Sequence, residues 1–373
     1  MTESVQVESV ALRPFTLALA PRPLTVLILA RDEADVLPDT LDAVRAGLTA
    51  GDRLCVVADH CRDATARVAR RAGAAVYTRR EGDRAGKGAA LSWWLSQTAD
   101  DAADDEGLII LDADSLPGPG MIDTLRARLA RGEVAVQARL EPLVAGDRPV
   151  PWLAAFSETV EQSVFDSLKA RWRWPVRLHG TGMAFARSAL TRAAARLTTS
   201  AEDAELTVLL AASGVPITLA LDARVVDPKP RDTRGAVRQR ARWFRGQVEI
   251  LRRHPRSILA LLGRGPAGWS LLTSIFLQPK TLFVPLKACA ALAAVAAWGY
   301  GLGSAWLVLL AFLLVALAVD VAGLAAGLIL TPHRRHVAAA LAAWPAFLGV
   351  WVAGVALSLA SRGGWERARP PAP

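Results

Sequence analysis

Leu24–Ala30 reads LTVLILA, seven consecutive apolar or β-branched residues. A run this short and unbroken is a strand buried on both faces, as in a parallel sheet covered by helices. Working outward, a polar helix-like stretch spans 34–50, and LCVVA at 54–58 is a second strand. A helical pattern near 64–72, a short strand at 75–78, a helix at 87–97 and GLIIL at 107–111 follow. This βαβα rhythm, continuing to about 228, implies a mostly parallel, doubly wound α/β sheet. Such sheets bind ligands beyond the carboxyl ends of their strands. Those ends carry Arg31-Asp32-Glu33, Asp59-His60-Cys61 and Asp112-Ala113-Asp114-Ser115.

The whole chain has 373 residues, 52% of them hydrophobic and 21% charged, with a net charge of +9. That balance excludes disorder and separates a wet part from an oily one. Eleven Lys/Arg and two acids, Asp232 and Glu249, lie between 229 and 264, and the rest of the chain is electrically neutral. A basic block this local, placed before an oily region, fits a membrane surface or a phosphate ligand and needs no nucleic acid. Cys55, Cys61 and Cys289 form no CxxC or Cys/His pattern, which fits a reducing cytosolic setting. The N-terminus has two acids and no basic leader before its apolar stretch, a poor signal peptide.

Beyond about residue 282 the character changes. Residues 288–331 carry one charge, Asp320, and as helix would extend ~66 Å, about twice the hydrocarbon core. Spans are expected near 281–300 and 304–330, hinged at Gly301-Leu302-Gly303, with a third candidate at 337–360 interrupted by Pro345. His333-Arg334-Arg335-His336 precedes that candidate, and Arg362, Arg367 and Arg369 follow it. A crossing there sets basic clusters on opposite faces, against the positive-inside tendency; a re-entrant segment does not. The expected organisation is an N-terminal extension (1–23), a catalytic domain (24–254), an interfacial amphipathic segment (255–280) and a membrane domain (281–373).

Several constellations carry chemistry. Asp112 and Asp114 offer paired hard oxygens suited to Mg2+ or Mn2+ shared with substrate phosphates, although a turn with two solvated acids reads the same way. Glu202-Asp203 opens a helical stretch, where acids favour the helix dipole; an Asp there also suits a general base. Gln239, Arg242 and Trp243 stand at helical i, i+3 and i+4 positions. Arg supplies a planar fork for phosphate and Trp a stacking face, and a surface helix near lipid carries the same residues. Gly86-Lys87-Gly88, near Arg79, Arg80 and Arg84, suits a phosphate or a surface loop. His179-Gly180-Thr181-Gly182 is a glycine-rich turn before a strand. Asp320 lies mid-span, where acids are costly.

Taken in order, LARDEADVLPDTLDAV (30–45), VVADHCRDATARVARRAGAAV (56–76), GKGAALSWWL (86–95), LDADS (111–115), GTGMAFAR (180–187), AEDAELTVLLAASG (201–214) and QRARW (239–243) resemble the membrane-bound family 2 glycosyltransferases of the processive type, such as cellulose, hyaluronan and poly-N-acetylglucosamine synthases. The resemblance implies a GT-A fold followed by C-terminal transmembrane helices, a UDP-sugar donor, an inverting mechanism and a divalent metal. It also implies a glycan or lipid acceptor, with the catalytic domain on the cytoplasmic face of the inner membrane. By its motifs Asp59, Lys87 and Asp112 would contact the nucleotide, Asp114 the metal, and Asp203 the acceptor hydroxyl as base. Gln239, Arg242 and Trp243 would hold the donor diphosphate and the acceptor end. His179, Gly180, Thr181 and Gly182 would line the acceptor site. This chain has Asp32 where the family usually has Asn, Ala201 where it has Thr, and His60 where Asn is common. No N-terminal span is expected, which argues for single transfer to a polyprenyl phosphate or glycolipid as the alternative reading, while QRARW argues for a glycan-chain acceptor. A non-catalytic membrane scaffold of the same fold is the alternative from another class.

Overall fold

All seven residues of LTVLILA are buried, and the reason is two helical layers. The computed structural model describes residues 24–82, 86–100, 106–230, 232–278 and 280–360. The extension expected at 1–23, Arg84, and Arg362, Arg367 and Arg369 lie outside those residues. The strands are β1 (Leu24–Ala30), β2 (Arg53–Asp59), β3 (Ala75–Arg79), β4 (Gly107–Asp112), β5 (Leu116–Pro117), β6 (Ala135–Leu143), β7 (Met183–Ala186) and β8 (Ile217–Pro228). Their spatial order is β3-β2-β1-β4-β7-β6-β8-β5. The first four are parallel, β7 runs antiparallel to β4 and β6, and β8 returns parallel to β6.

The chain moves from β1 outward to β2 and β3, then crosses back to β4 on the other side of β1. That reversal is where open α/β sheets bind ligands. Register fixes what meets there: Leu29 pairs with Asp112, and Asp59 pairs with Arg79. Alternate residues of β1 serve the two cores. Val26, Ile28 and Ala30 pack with α1 (Leu37–Arg45) and α4 (Met121–Ala130). Leu27 and Leu29 pack with α3 (Lys87–Gln97), α7 (Arg187–Ala194) and α8 (Glu202–Ala212). At the opposite edge, buried Glu106 accepts hydrogen bonds from Thr25, from Arg53 (2.8 Å) and from Arg187 (2.6 Å). Burial opposes its charge, but the three donors outweigh it and hold the carboxyl below its ordinary range.

Between β6 and β7 lie α5 (Pro149–Thr159), a π-helical turn (Val160–Asp166) and α6 (Ser167–Arg171). After β8 comes α9 (Thr233–Arg253), capped by Asp232, whose carboxylate accepts from the Gly235 N–H at 2.6 Å. The segment expected at 255–280 forms α10 (Pro255–Leu262) and α11 (Pro266–Phe276). Leu261, Leu271, Leu272 and Ile275 are buried in the catalytic core, so one apolar face is spent on the domain. Leu259 and Trp269 stay exposed.

The oily region forms α12 (Lys280–Gly299), α13 (Ala305–Leu330), α14 (Arg334–Ala340) and α15 (Trp344–Ala360). Two stretches, Ala305–Leu330 and Arg334–Ala360, are long and apolar enough to cross a membrane. Lys287 of α12 pairs with Asp320 of α13 at 2.6 Å, the partner that an acid within an apolar helix needs. Gly323 and Gly327 seat α13 against Phe165 and Val160 of the π-turn. The 337–360 candidate breaks into α14, a short 3-10 turn (Leu341–Ala343) and α15. Phe347, Val350, Trp351 and Gly354 of α15 are buried, and the Gly354 backbone lies against Arg240 and Ala241 of α9.

Candidate active site

A cleft of about 160 Å³ opens at the carboxyl end of the sheet. It is lined by Lys87, Asp112, His179, Gly180, Thr181, Asp203, Gln239, Arg242 and Trp243, nine of the twelve residues singled out from sequence. The other three, Asp59, Asp114 and Gly182, do not line it.

At the sheet end of the cleft, Lys87 opens α3 and reaches Asp112 at the end of β4, with Nζ 2.5 Å from Oδ1. Burial disfavours an ammonium, but Asp112 and Glu202 outweigh it and hold Lys87 above its ordinary value. The Asp112 N–H donates to the Thr181 hydroxyl at 3.1 Å, which fixes the glycine-rich turn on β4. Asp59 is fully buried at the end of β2. Its Oδ1 lies 2.8 Å from Arg79 Nη1 and 2.8 Å from His60 Nδ1, while its Oδ2 has no partner. Asp114 stands half-buried in the turn just after β4.

At the centre, Asp203 Oδ2 lies 3.8 Å from Arg177 Nη2, and Gly180 faces the same carboxylate. Its neighbour Glu202 lies 3.8 Å from Arg242 Nη1. Burial pushes the Glu202 carboxyl up; Arg242 opposes this and Asp203 adds to it. At 3.8 Å the Glu202–Arg242 contact is longer than a hydrogen-bonded ion pair. The loop before Glu202 is fastened to α9: Arg242 Nη1 donates to the Ser200 carbonyl at 3.2 Å, and Glu249 accepts from the Ser200 N–H at 2.8 Å. One turn away, a side chain at Gly246 would overlap Ala201. The absent Thr of the AED run therefore has a packing reason, since α9 and the loop approach backbone to backbone. Gly182 is likewise structural. Its φ is +64°, and a Cβ there would stand 2.7 Å from Val225.

Toward the acceptor end, His179 Nε2 lies 3.2 Å from Asp166, which also pairs with Lys169 at 2.8 Å. Lys229 bridges Glu158 and, at 2.6 Å, Asp227. Phe347 and Trp351 of α15 close this end. Sequence reading missed Arg177, Glu158, Asp227 and these two aromatics. Arg177 stands two residues before His179 in an extended stretch, a spacing that places both on one side. Phe347 and Trp351 sit in an apolar run and gave no signal distinct from a span.

Among the described residues, the group of three potential ligands close enough to hold a metal is Asp32, Cys61 and Asp63, which does not include Asp114. Asp32 Oδ1 accepts the N–H groups of Arg62 and Asp63, and Asp63 accepts those of Ala34 and Thr65. Burial pushes the Cys61 thiol up to about 11, which disfavours the thiolate that would ligate a metal.

With this geometry in view, the comparisons are informative. The family described as "Glycosyltransferase like family 2" matches residues 21–246. The chain belongs to this glycosyltransferase family. No curated protein matches it by sequence. Among solved structures, mannosyltransferase PcManGT from Pyrobaculum calidifontis, in complex with GDP-Man and Mn2+, is 20% identical. That alignment covers 94% of this chain and 92% of that one, with a TM-score of 0.55, and it shows a shared fold. Glucosyl-3-phosphoglycerate synthase from Mycobacterium tuberculosis, in complex with Mn2+, UDP and glucosyl-3-phosphoglycerate, is 23% identical. It covers 53% of this chain and 69% of that one, with a TM-score of 0.37.

Proposed function

We propose that this glycosyltransferase moves a sugar from a UDP-sugar to a hydroxyl of a glycan or lipid-linked acceptor, with inversion, at the cytoplasmic face of the inner membrane. The observation that carries the reading is one cleft that gathers Lys87, Asp112, Glu202, Asp203, Gln239, Arg242 and Trp243 from separate stretches of the chain. In the proposed step, Asp203 takes the acceptor's hydroxyl proton as the oxygen attacks the anomeric carbon from the face opposite the diphosphate. The bond from that carbon to the diphosphate oxygen breaks, and its electron pair leaves with UDP. Arg242, which lines the cleft with Gln239, would face the departing diphosphate. Trp243 offers its face to the acceptor sugar.

The oxygen-only donor set after β4 fits a hard divalent cation. Lys87 neutralises Asp112 and leaves Asp114 as the carboxylate assigned to Mg2+ or Mn2+. Bound there, the ion would supply Lewis-acid neutralisation of the diphosphate.

The membrane assignment rests on α12 and α13. The chain leaves the cleft just after Gln278, whose amide donates to Glu161, and returns where His333 and His336 pack on Trp152. We read α12–α13 as an inserted hairpin and α15 as a helix lying on the domain.

The test is UDP release by purified full-length protein with Mg2+ or Mn2+, screened across UDP-glucose, UDP-GlcNAc and GDP-mannose with a membrane lipid extract as acceptor source. Asp203→Asn should lower turnover by about 10²–10⁴-fold with UDP affinity kept. Full activity in that variant refutes the base assignment. Release from GDP-mannose alone refutes the UDP assignment.

A further inference from the structure

Five cations line the cleft, and four already face carboxylates: Lys87 with Asp112, Arg177 with Asp203, Arg242 with Glu202, and Lys229 with Asp227 and Glu158. Among the described residues Arg240 has no acid. It is 3% exposed. Its Nη1 donates to the Ala236 carbonyl at 3.0 Å within its own helix, and its guanidinium carbon lies 4.8 Å from the Trp351 ring centre and 5.1 Å from that of Phe347. Ring faces compensate part of a buried charge but accept no N–H within the guanidinium plane. Arg240 Nε is accordingly buried without a partner, and so is the indole N–H of Trp351 beside it. Burial pushes the guanidinium down to about 10, the mark of a desolvated cation without a counter-ion. Two orphaned donors, one of them charged, thus belong to residues that line the cleft side by side. Most buried donors in native proteins are paired, and a group with oxygen acceptors is what would pair these.

We propose that Arg240 and Trp351 form an oxyanion subsite at the α15 end of the cleft, holding a phosphate or carboxylate carried by the acceptor while Asp203 activates its hydroxyl. The subsite deepens the reading of the cleft as an acceptor channel and rests on it. A polyprenyl phosphate and an acidic sugar offer the same chemistry. Trp243, whose ring centre lies 6.2 Å from that of Trp351, would then stack on the residue between anion and reacting hydroxyl.

Calorimetry on full-length protein in neutral phosphatidylcholine nanodiscs, saturated with UDP and Mg2+, tests this with three probes: a short polyprenyl phosphate, dodecyl glucuronide and neutral dodecyl glucoside. At least one anionic probe should bind about tenfold or more tightly than the glucoside, and which one binds identifies the source of the anion. Arg240→Gln should abolish that margin and leave glucoside binding unchanged. Trp351→Phe, which keeps the ring packing, should cost about three- to tenfold for the anionic probe. Equal binding of all three probes, or an undiminished margin in both variants, overturns the subsite. UDP binding is read separately in every variant, and its loss in the unmodified protein tells against the donor reading instead.

Discussion

At the sheet end, Lys87 and Asp112 line the cleft and Asp59 is buried at the end of β2, and each is fixed by strand register or by an ion pair to a neighbouring element. At the roof end, Arg240, Trp243, Phe347 and Trp351 meet where α9 and α15 cross, and aromatic faces replace carboxylates as partners. The contrast teaches that one cleft can be rigid by two routes. Paired charges tolerate small displacements poorly, which suits the nucleotide contacts we propose for them. Helix packing leaves a cation uncompensated and ready for a ligand.

The sharpest way to break that contrast is at the paired end. Lys87→Ala leaves the part-buried Asp112 without its cation, and removing one partner of a desolvated pair is costly. UDP release should fall by about a hundredfold or more, with UDP affinity falling in parallel by calorimetry. A variant with normal UDP affinity would show that the pair is not part of the nucleotide site. Next comes the join between the two ends. Gly246→Ala forces α9 away from Ala201, and overpacking of this kind costs about 1–3 kcal/mol. Thermal unfolding should register that loss, and turnover should drop about tenfold while the donor KM stays near its original value. A smaller effect is expected from Gly354→Ala, whose Cβ would stand 2.9 Å from that of Arg240. Lifting α15 should raise the acceptor KM about threefold and leave the donor KM alone. A donor-side effect of equal size would erase the distinction between the ends.

The donor end was the more legible in the sequence. Fully apolar strands, each ending in acids, announce a covered parallel sheet, and the order of short motifs announced the family before any geometry. Nine of the chosen residues do converge on one cleft. The roof end was less legible because its partners are far apart in the chain and chemically disguised. Trp351 within WPAFLGVWVAGVALSLA reads as lipid-facing, and only packing on α9 turns it inward. Arg240 was passed over between Gln239 and Arg242, since a helix pattern does not say which arginine lacks an acid. Asp114 and the metal show a third limit: a carboxylate's role depends on a ligand that neither sequence nor fold contains.

The smallest expected effect lies far from both ends. Glu106 is held below its ordinary value of 4.5 in the folded protein, so it contributes stability that is complete above that value. The contribution should be lost as pH falls below 4.5 through the lower folded value. Glu106→Gln should flatten the acid limb of a melting-temperature profile by a few degrees and leave UDP affinity at neutral pH unchanged. An unchanged acid limb would remove Glu106 from the account.

Phe347 and Trp351 come after the α12–α13 hairpin. A ribosome therefore finishes the sheet, the strand-end acids and the QRARW helix well before it makes the cleft's last wall. In our reading the hairpin must enter the bilayer before α15 can fold back onto α9. A chain that has not been delivered to the membrane would carry its nucleotide groups assembled and its acceptor end open to water, so catalytic competence would be acquired at the membrane.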